Sequence, residues 1–298
     1  MTQANTPAAM TNPNAASDLV DAAVKKVSTI ATLPEITVQI IKTVEDPKST
    51  AQQLHRIVSH DPALVTRILK VVNSSFYGLP GQIASIERAI VLLGLNAVKN
   101  VAVAASLGQL FRGVKLCEGI TAKDLWRHCV SVGVVARDLA KQMKVPLADE
   151  AFLAGMIHDI GILVSLQTAP EPTRLVCEKA RLHTEGDFDF CALERQVMGV
   201  DHQMLGARLA EAWKFPHSCR LVAGFHHNPQ TLEGDHLLLW LVFVADTLCA
   251  QGQQGFNLTA LHQKLDHANL ARYKIDQSLI EHTRTNLDTI VASSSPML

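Results

Sequence analysis

Between residues 151 and 164 the chain reads AFLAGMIHDIGILV, and only His158 and Asp159 in that stretch carry polar side chains. A segment this apolar folds as a core element. Its imidazole and carboxylate are costly to bury unless something pairs with them or binds them. The fold must therefore deliver partners to an adjacent His-Asp pair from distant parts of the chain. A simple buried hydrogen-bonded pair is the plainer alternative. Gly155 and Gly161 are poor helix formers that flank the pair and would let neighbouring atoms approach closely.

Further ligand-type residues recur in similar helix-like settings. Asp124 and His128 are four apart, which puts them on one helix face. His202 opens the helical segment after Gly199, His226-His227 closes LVAGFHH, and Asp246 follows LLLWLVFVA. Each has a bland reading: a capping Asp and a core His, a helix-start cap, a polar helix end, a carboxylate at a solvent edge. Together they form a mixed nitrogen and oxygen set that suits a divalent transition metal. Asp159 could bridge two ions through its two oxygens. His55, His60, His183, His217, His236, His262, His267 and His282 lack comparable settings and read as surface or local polar contacts.

Helical signals dominate the rest. Asp61 is a good N-cap and Pro62 stands at the favoured first position, with apolar residues following at helical spacing through Val72. NSSFYGLPG at 73–81 is a turn, Ser85 opens the next helix and Gly94 stops it. Helices are expected at 96–110, 121–143, 149–166, 171–185, 188–198, 202–214, 217–227, 235–251 and 276–291. Leu33-Pro34, Asp46-Pro47 and Asp61-Pro62 imply short helices packed at angles. No segment shows sustained period-two alternation. The expected fold is all-α: a disordered tail over 1–17, an N-terminal helical subdomain over 18–118 and a second helical subdomain over 119–298 with the candidate metal site.

The net charge is -1, so no global pull toward nucleic acid or anionic membrane exists, and there is no basic stripe. None of the six cysteines forms a Cys-x-x-Cys pair, which fits reduced thiols of a cytoplasmic protein. The N-terminus lacks the basic patch and apolar stretch of a signal peptide. The longest apolar run, Leu237 to Ala245, is too short to span a bilayer.

The order His, His-Asp, His, His-His, Asp on a helical scaffold resembles the HD superfamily of metal-dependent phosphohydrolases, in layout the HD-GYP branch. That resemblance implies Asp124 and His128 as the first-helix ligand pair. It makes His158-Asp159 the namesake doublet, with Asp159 as the bridging ligand and the catalytic one in an active enzyme. His202, His226, His227 and Asp246 would complete a site for one to three ions of Fe, Mn, Zn or Ni. LPEITVQIIKTVEDPKST, HDPALVTRILKVVNSSFYG and IASIERAIVLLGLNAVKNV resemble the HDOD domain, an HD-related output domain of bacterial signalling proteins, from about residue 33 into the 220s. The implied function is regulation through signalling partners, a nucleotide or a phosphorylated ligand, rather than catalysis. Two departures from active HD-GYP enzymes agree: Ile162 stands where His-Asp-x-Gly-Lys has its Lys, and no Gly-Tyr-Pro follows the tandem His in HHNPQTLEGDH. A metal-dependent phosphodiesterase is the alternative, and a di-iron redox or oxygen sensor is a third reading.

Overall fold

The computed structural model describes residues 13–30, 35–46, 48–111, 115–183 and 187–297. The first helices are α1 (Pro13–Ile30), α2 (Glu35–Glu45), α3 (Ala51–Ser59), α4 (Pro62–Val72), α5 (Ile86–Leu93) and α6 (Leu95–Leu107). A small antiparallel hairpin follows, β1 (Lys115–Cys117) and β2 (Ile120–Thr121). Then come α7 (Ala122–Gln142), α8 (Ala148–Ile157), α9 (Ile160–Thr168), α10 (Pro170–Leu182), α11 (Phe190–Met198), α12 (His202–Ala212), α13 (His217–Phe225) and α14 (Leu237–Gln251). Three short helices follow, α15 (His267–Arg272), α16 (Gln277–Thr285) and α17 (Leu287–Ala292), before a 3-10 turn at Ser295–Met297. The fold is all-α.

Local chemistry sets the helix starts. Asp61 Oδ1 accepts from Leu64 N at 2.9 Å, with Pro62 in the first turn. Thr50 and Gln53 form a reciprocal capping box on α3, and Ser85 caps α5. The turn after α4 is closed by Asn73, whose Oδ1 accepts from Ile83 N at 2.6 Å while its Nδ2 donates to Ile83 O at 2.8 Å.

Two helix crossings bring the second half together. A Cβ on Gly155 would lie 2.7 Å from Gly133 Cα, so α7 and α8 touch backbone to backbone. A Cβ on Gly161 would lie 1.8 Å from the His202 carbonyl oxygen, so α9 and α12 do the same. Helix α14 packs on α7, α8 and α13 and is buried along nearly its whole length.

Four expectations are corrected. The single helix expected at 149–166 is two, α8 and α9, broken at His158-Asp159 where Ile162 N bonds back to Asp159 O. The hairpin at 115–121 was not expected, because strands of three and two residues are too short to show alternation. Residues 13–17 of the expected tail are the start of α1, with Pro13 at the first helical position. Helix α1, expected in the N-terminal subdomain, packs on α9 and α12. Residues 1–12 of the tail, Leu33-Pro34 and Pro47 lie outside the described residues. The 148–168 stretch is apolar and long enough to cross a bilayer by composition, but it is almost wholly buried inside the protein and broken in the middle.

Candidate metal centre

Four helices and the α8–α9 break converge on one buried cluster. Helix α7 carries His128, the break carries His158 and Asp159, and the start of α12 carries His202. The end of α13 carries His226 and His227, and α14 carries Asp246. Each imidazole turns Nε2 toward the centre. Asp159 lies between two groups of donors. Its Oδ1 is 3.4 Å from His202 Nε2 and 3.3 Å from His226 Nε2. Its Oδ2 is 3.3 Å from His158 Nε2 and 3.8 Å from His128 Nε2. Asp246 Oδ1 closes the second group, 3.0 Å from His128 Nε2 and 3.7 Å from His158 Nε2. His227 Nε2 joins the first, 3.1 Å from His202 Nε2, which is itself 3.3 Å from His226 Nε2.

The outer nitrogens explain why the inner ones are free. Carbonyl and carboxylate oxygens only accept, so a ring Nδ1 facing one carries the proton. His158 Nδ1 donates to Gly155 O at 2.7 Å and His226 Nδ1 to Val222 O at 3.1 Å. His202 Nδ1 donates to Glu194 Oε2 at 2.5 Å, and His227 Nδ1 to Gln263 Oε1 at 2.9 Å. In the neutral rings this leaves four Nε2 lone pairs pointing inward. Lone pairs of three imidazoles and a carboxylate oxygen at 3.1–3.4 Å repel unless a cation or a proton lies between them.

Protons supply only part of that need. Burial lowers the pKa of His226 to about 4 against the pull of Asp159, and burial with the neighbouring His226 lowers His227 to about 3. Burial also works against the charged form of His202, but the Glu194 carboxylate outweighs it and holds His202 well above its ordinary value. For His158, burial is likewise outweighed, here by Asp159. Even so, His158 Nε2, both oxygens of Asp159 and Asp246 Oδ2 are buried without a hydrogen-bond partner among the described residues. Four orphaned polar atoms in one buried spot mark a cluster that could hold a metal. Mixed imidazole and carboxylate donors fit Zn, Fe, Mn or Ni.

Access is narrow. The side chains of His128, His158, Asp159, His202, His226 and Asp246 are 0% exposed, and His227 is 8% exposed. A recess of about 150 Å³ lined by Phe190, Cys191, Gln263 and Thr259 reaches only the His227 edge.

Seven of the eight residues expected as ligands meet here. Asp124 does not. Its Oδ2 accepts from Thr121 N and Oγ1, both at 2.7 Å, as the third residue of the capping box that starts α7. A carboxylate one turn before His128 is thus spent on the helix end. Three supporting residues escaped the sequence reading. Glu194 holds His202, Gln203 Oε1 accepts from His227 N at 3.1 Å, and Gln263 holds the His227 ring. Glu194 shares the buried face of α11 with Phe190 and Cys191, and a charge on that apolar stripe was the available signal. His183 stacks on Phe188 away from the cluster.

The HDOD domain family matches residues 30–229. An uncharacterized protein of Treponema pallidum (strain Nichols) is 26% identical over 204 residues, 68% of this chain and 38% of that protein. The chain thus spans about two fifths of that relative's length. Among solved structures, an HDOD domain protein of unknown function from Geobacter sulfurreducens superposes with a TM-score of 0.75 at 19% identity, over 93% of this chain and 99% of that one. A candidate phosphohydrolase from Shewanella amazonensis SB2B gives 0.68 at 23% identity, over 93% and 95%. A candidate signal transduction protein from Marinobacter aquaeolei VT8 gives 0.74 at 24%, over 95% and 66%. At these identities the likeness is one of fold.

Proposed function

Because this chain belongs to the HDOD domain family, we propose that it is a regulatory signalling protein whose metal centre is structural or sensory rather than hydrolytic. The observation that carries this reading is the sealing of the cluster, with six of seven donor side chains at 0% exposure. A hydrolytic site must keep a position open to substrate. Here a phosphoryl group would meet helices on every side but the His227 edge. His128, His158 and Asp246 would hold one ion, and His202, His226 and His227 a second, with Asp159 shared. A bound divalent ion would supply charge neutralisation and, where substrate could reach it, an acidified water. The chain's own residues orient the donors: Glu194, Gln263, Gly155 O and Val222 O fix the tautomers of four rings. The helical faces would then bind a signalling partner or a nucleotide, in the cytoplasm, where six reduced cysteines are at home.

The test is turnover. Metal-loaded protein is expected to leave bis(4-nitrophenyl) phosphate and cyclic dinucleotides intact. Sustained hydrolysis that disappears in Asp159→Ala would overturn the reading in favour of a metal-dependent phosphodiesterase. That second reading draws support from the donor set itself, since Asp159 presents one oxygen to each group. A di-iron redox sensor fits the same donors, and a metal-dependent visible absorption that changes with oxygen would mark it.

A further inference from the structure

A second cavity lies outside the metal cluster, where the N-terminal helices meet α7 and α8. It holds about 340 Å³, at the lower end of the roughly 300–1,000 Å³ typical of small-molecule sites. Its apolar wall is built by Val101 of α6, Phe111, Trp126 of α7, and Phe152 and Met156 of α8. The polar lining is Arg67, Gln109 and Lys123, two cations and an amide with no carboxylate. Exposed Lys123 and Gln109 mark the side open to solvent.

Arg67 is incompletely satisfied. With its amide oxygen turned toward the guanidinium, Gln109 accepts from Nη2 at 2.9 Å and from Nη1 at 3.3 Å. Asp61 Oδ2 stands off at 3.6 Å from Nη2. Arg67 Nε is buried and has no hydrogen-bond partner among the described residues. A buried guanidinium donor left unpaired is expensive, and a ligand carboxylate is the group that satisfies it with a charge-assisted bond. Trp126 is held in the wall by its Nε1–H, which donates to Met297 O at 2.9 Å, and it packs on Phe111 with ring centroids 5.1 Å apart.

We propose that this cavity binds a small apolar monocarboxylate, with its chain or ring among Val101, Trp126, Phe152 and Met156 and its carboxylate on Arg67. Lys123 adds the second positive charge at the mouth. The site is independent of the metal reading, since it shares no residue with the cluster. It is nevertheless well placed to act as an input. Trp126 is two residues before His128 on α7, and Met156, in the last turn of α8, is two residues before His158.

The experiment is calorimetric titration of the whole chain with decanoate, against decanol and decyltrimethylammonium. Saturable one-to-one binding is expected for decanoate, with decanol and the cation weaker by roughly tenfold or more. Arg67→Met should weaken decanoate by a similar factor while leaving decanol unchanged, and Ala105→Phe, which fills the cavity, should abolish both. Should Ala105→Phe fail to fold, Lys123→Met at the exposed mouth gives the charge test on a folded chain. No saturable decanoate binding, equal affinity for decanol, or decanoate affinity unaltered in Arg67→Met would each overturn the proposal.

Discussion

Glu194 grips His202 twice with one oxygen, accepting from ring Nδ1 at 2.5 Å and from the backbone N at 2.9 Å. Both groups are buried, so the pair fixes the ring's rotation and tautomer at the first turn of α12. Glu194→Gln keeps the shape but removes the charge. It is expected to lower metal affinity by about 10–100-fold while leaving helical content unchanged. A competitive chelator titration of the variant reads this directly, and an unaltered affinity would show that Glu194 has no part in the centre.

A Cβ on Gly161 would lie 1.8 Å from the His202 carbonyl oxygen, so α9 can pass α12 only with a hydrogen there. Gly161→Ala must push α9 off α12 and pull His202 away from Asp159. Overpacking of this kind costs about 1–3 kcal/mol, and the variant should melt several degrees lower and lose the metal donated through His202.

Stability should depend on pH in two opposed ways. His226 at about 4 and His227 at about 3 are held neutral in the fold by burial, whereas an unfolded imidazole titrates near ~6.5. Below that value the unfolded chain binds more protons, so their contribution is lost as pH falls from ~6.5 toward the folded values. Burial works against protonating His202 and His158, but Glu194 and Asp159 outweigh it and raise both. Their contribution is complete below ~6.5 and fades as pH rises through the folded values. Urea midpoints of metal-free protein should therefore peak near neutrality. Metal loading should remove the alkaline decline, because the ion replaces the protons on Nε2 of those two rings. A flat metal-free curve would contradict the buried network.

Ile162 is 1% exposed in the first turn of α9. Placing Lys there puts an ammonium into the core, with a penalty on the order of several kcal/mol. Ile162→Lys is expected to destabilise the chain without creating phosphodiesterase activity, because the cluster behind it stays sealed. Thermal melting together with a phosphodiester assay tests both halves, and a stable, active variant would show that the missing Lys alone blocks hydrolysis.

Much of this was legible in the chain. Asp61-Pro62, Ser85 and Gly94 announced helix ends because caps are local chemistry, and each falls where expected. His158-Asp159 in an apolar run announced a buried polar centre because burial without partners is costly. What stayed hidden was tertiary. Asp124 sits at a good spacing from His128, yet the capping box claims it, and spacing alone does not separate a cap from a ligand. Gln203 and Gln263 reach His227 only through the packing of α12 and the loop after α14, which no local pattern encodes. The break between α8 and α9 falls at His158-Asp159, and the strongly apolar residues on both sides masked it.

The most direct test of the central claim is the metal content of protein purified without a His-tag or chelator under low oxygen, by elemental mass spectrometry. The account predicts about two ions per chain, one for each donor group, lost in Asp159→Ala and reduced in His158→Ala. No bound metal in the native chain, with both variants as stable as the parent, would contradict it and leave the seven residues as a hydrogen-bonded remnant.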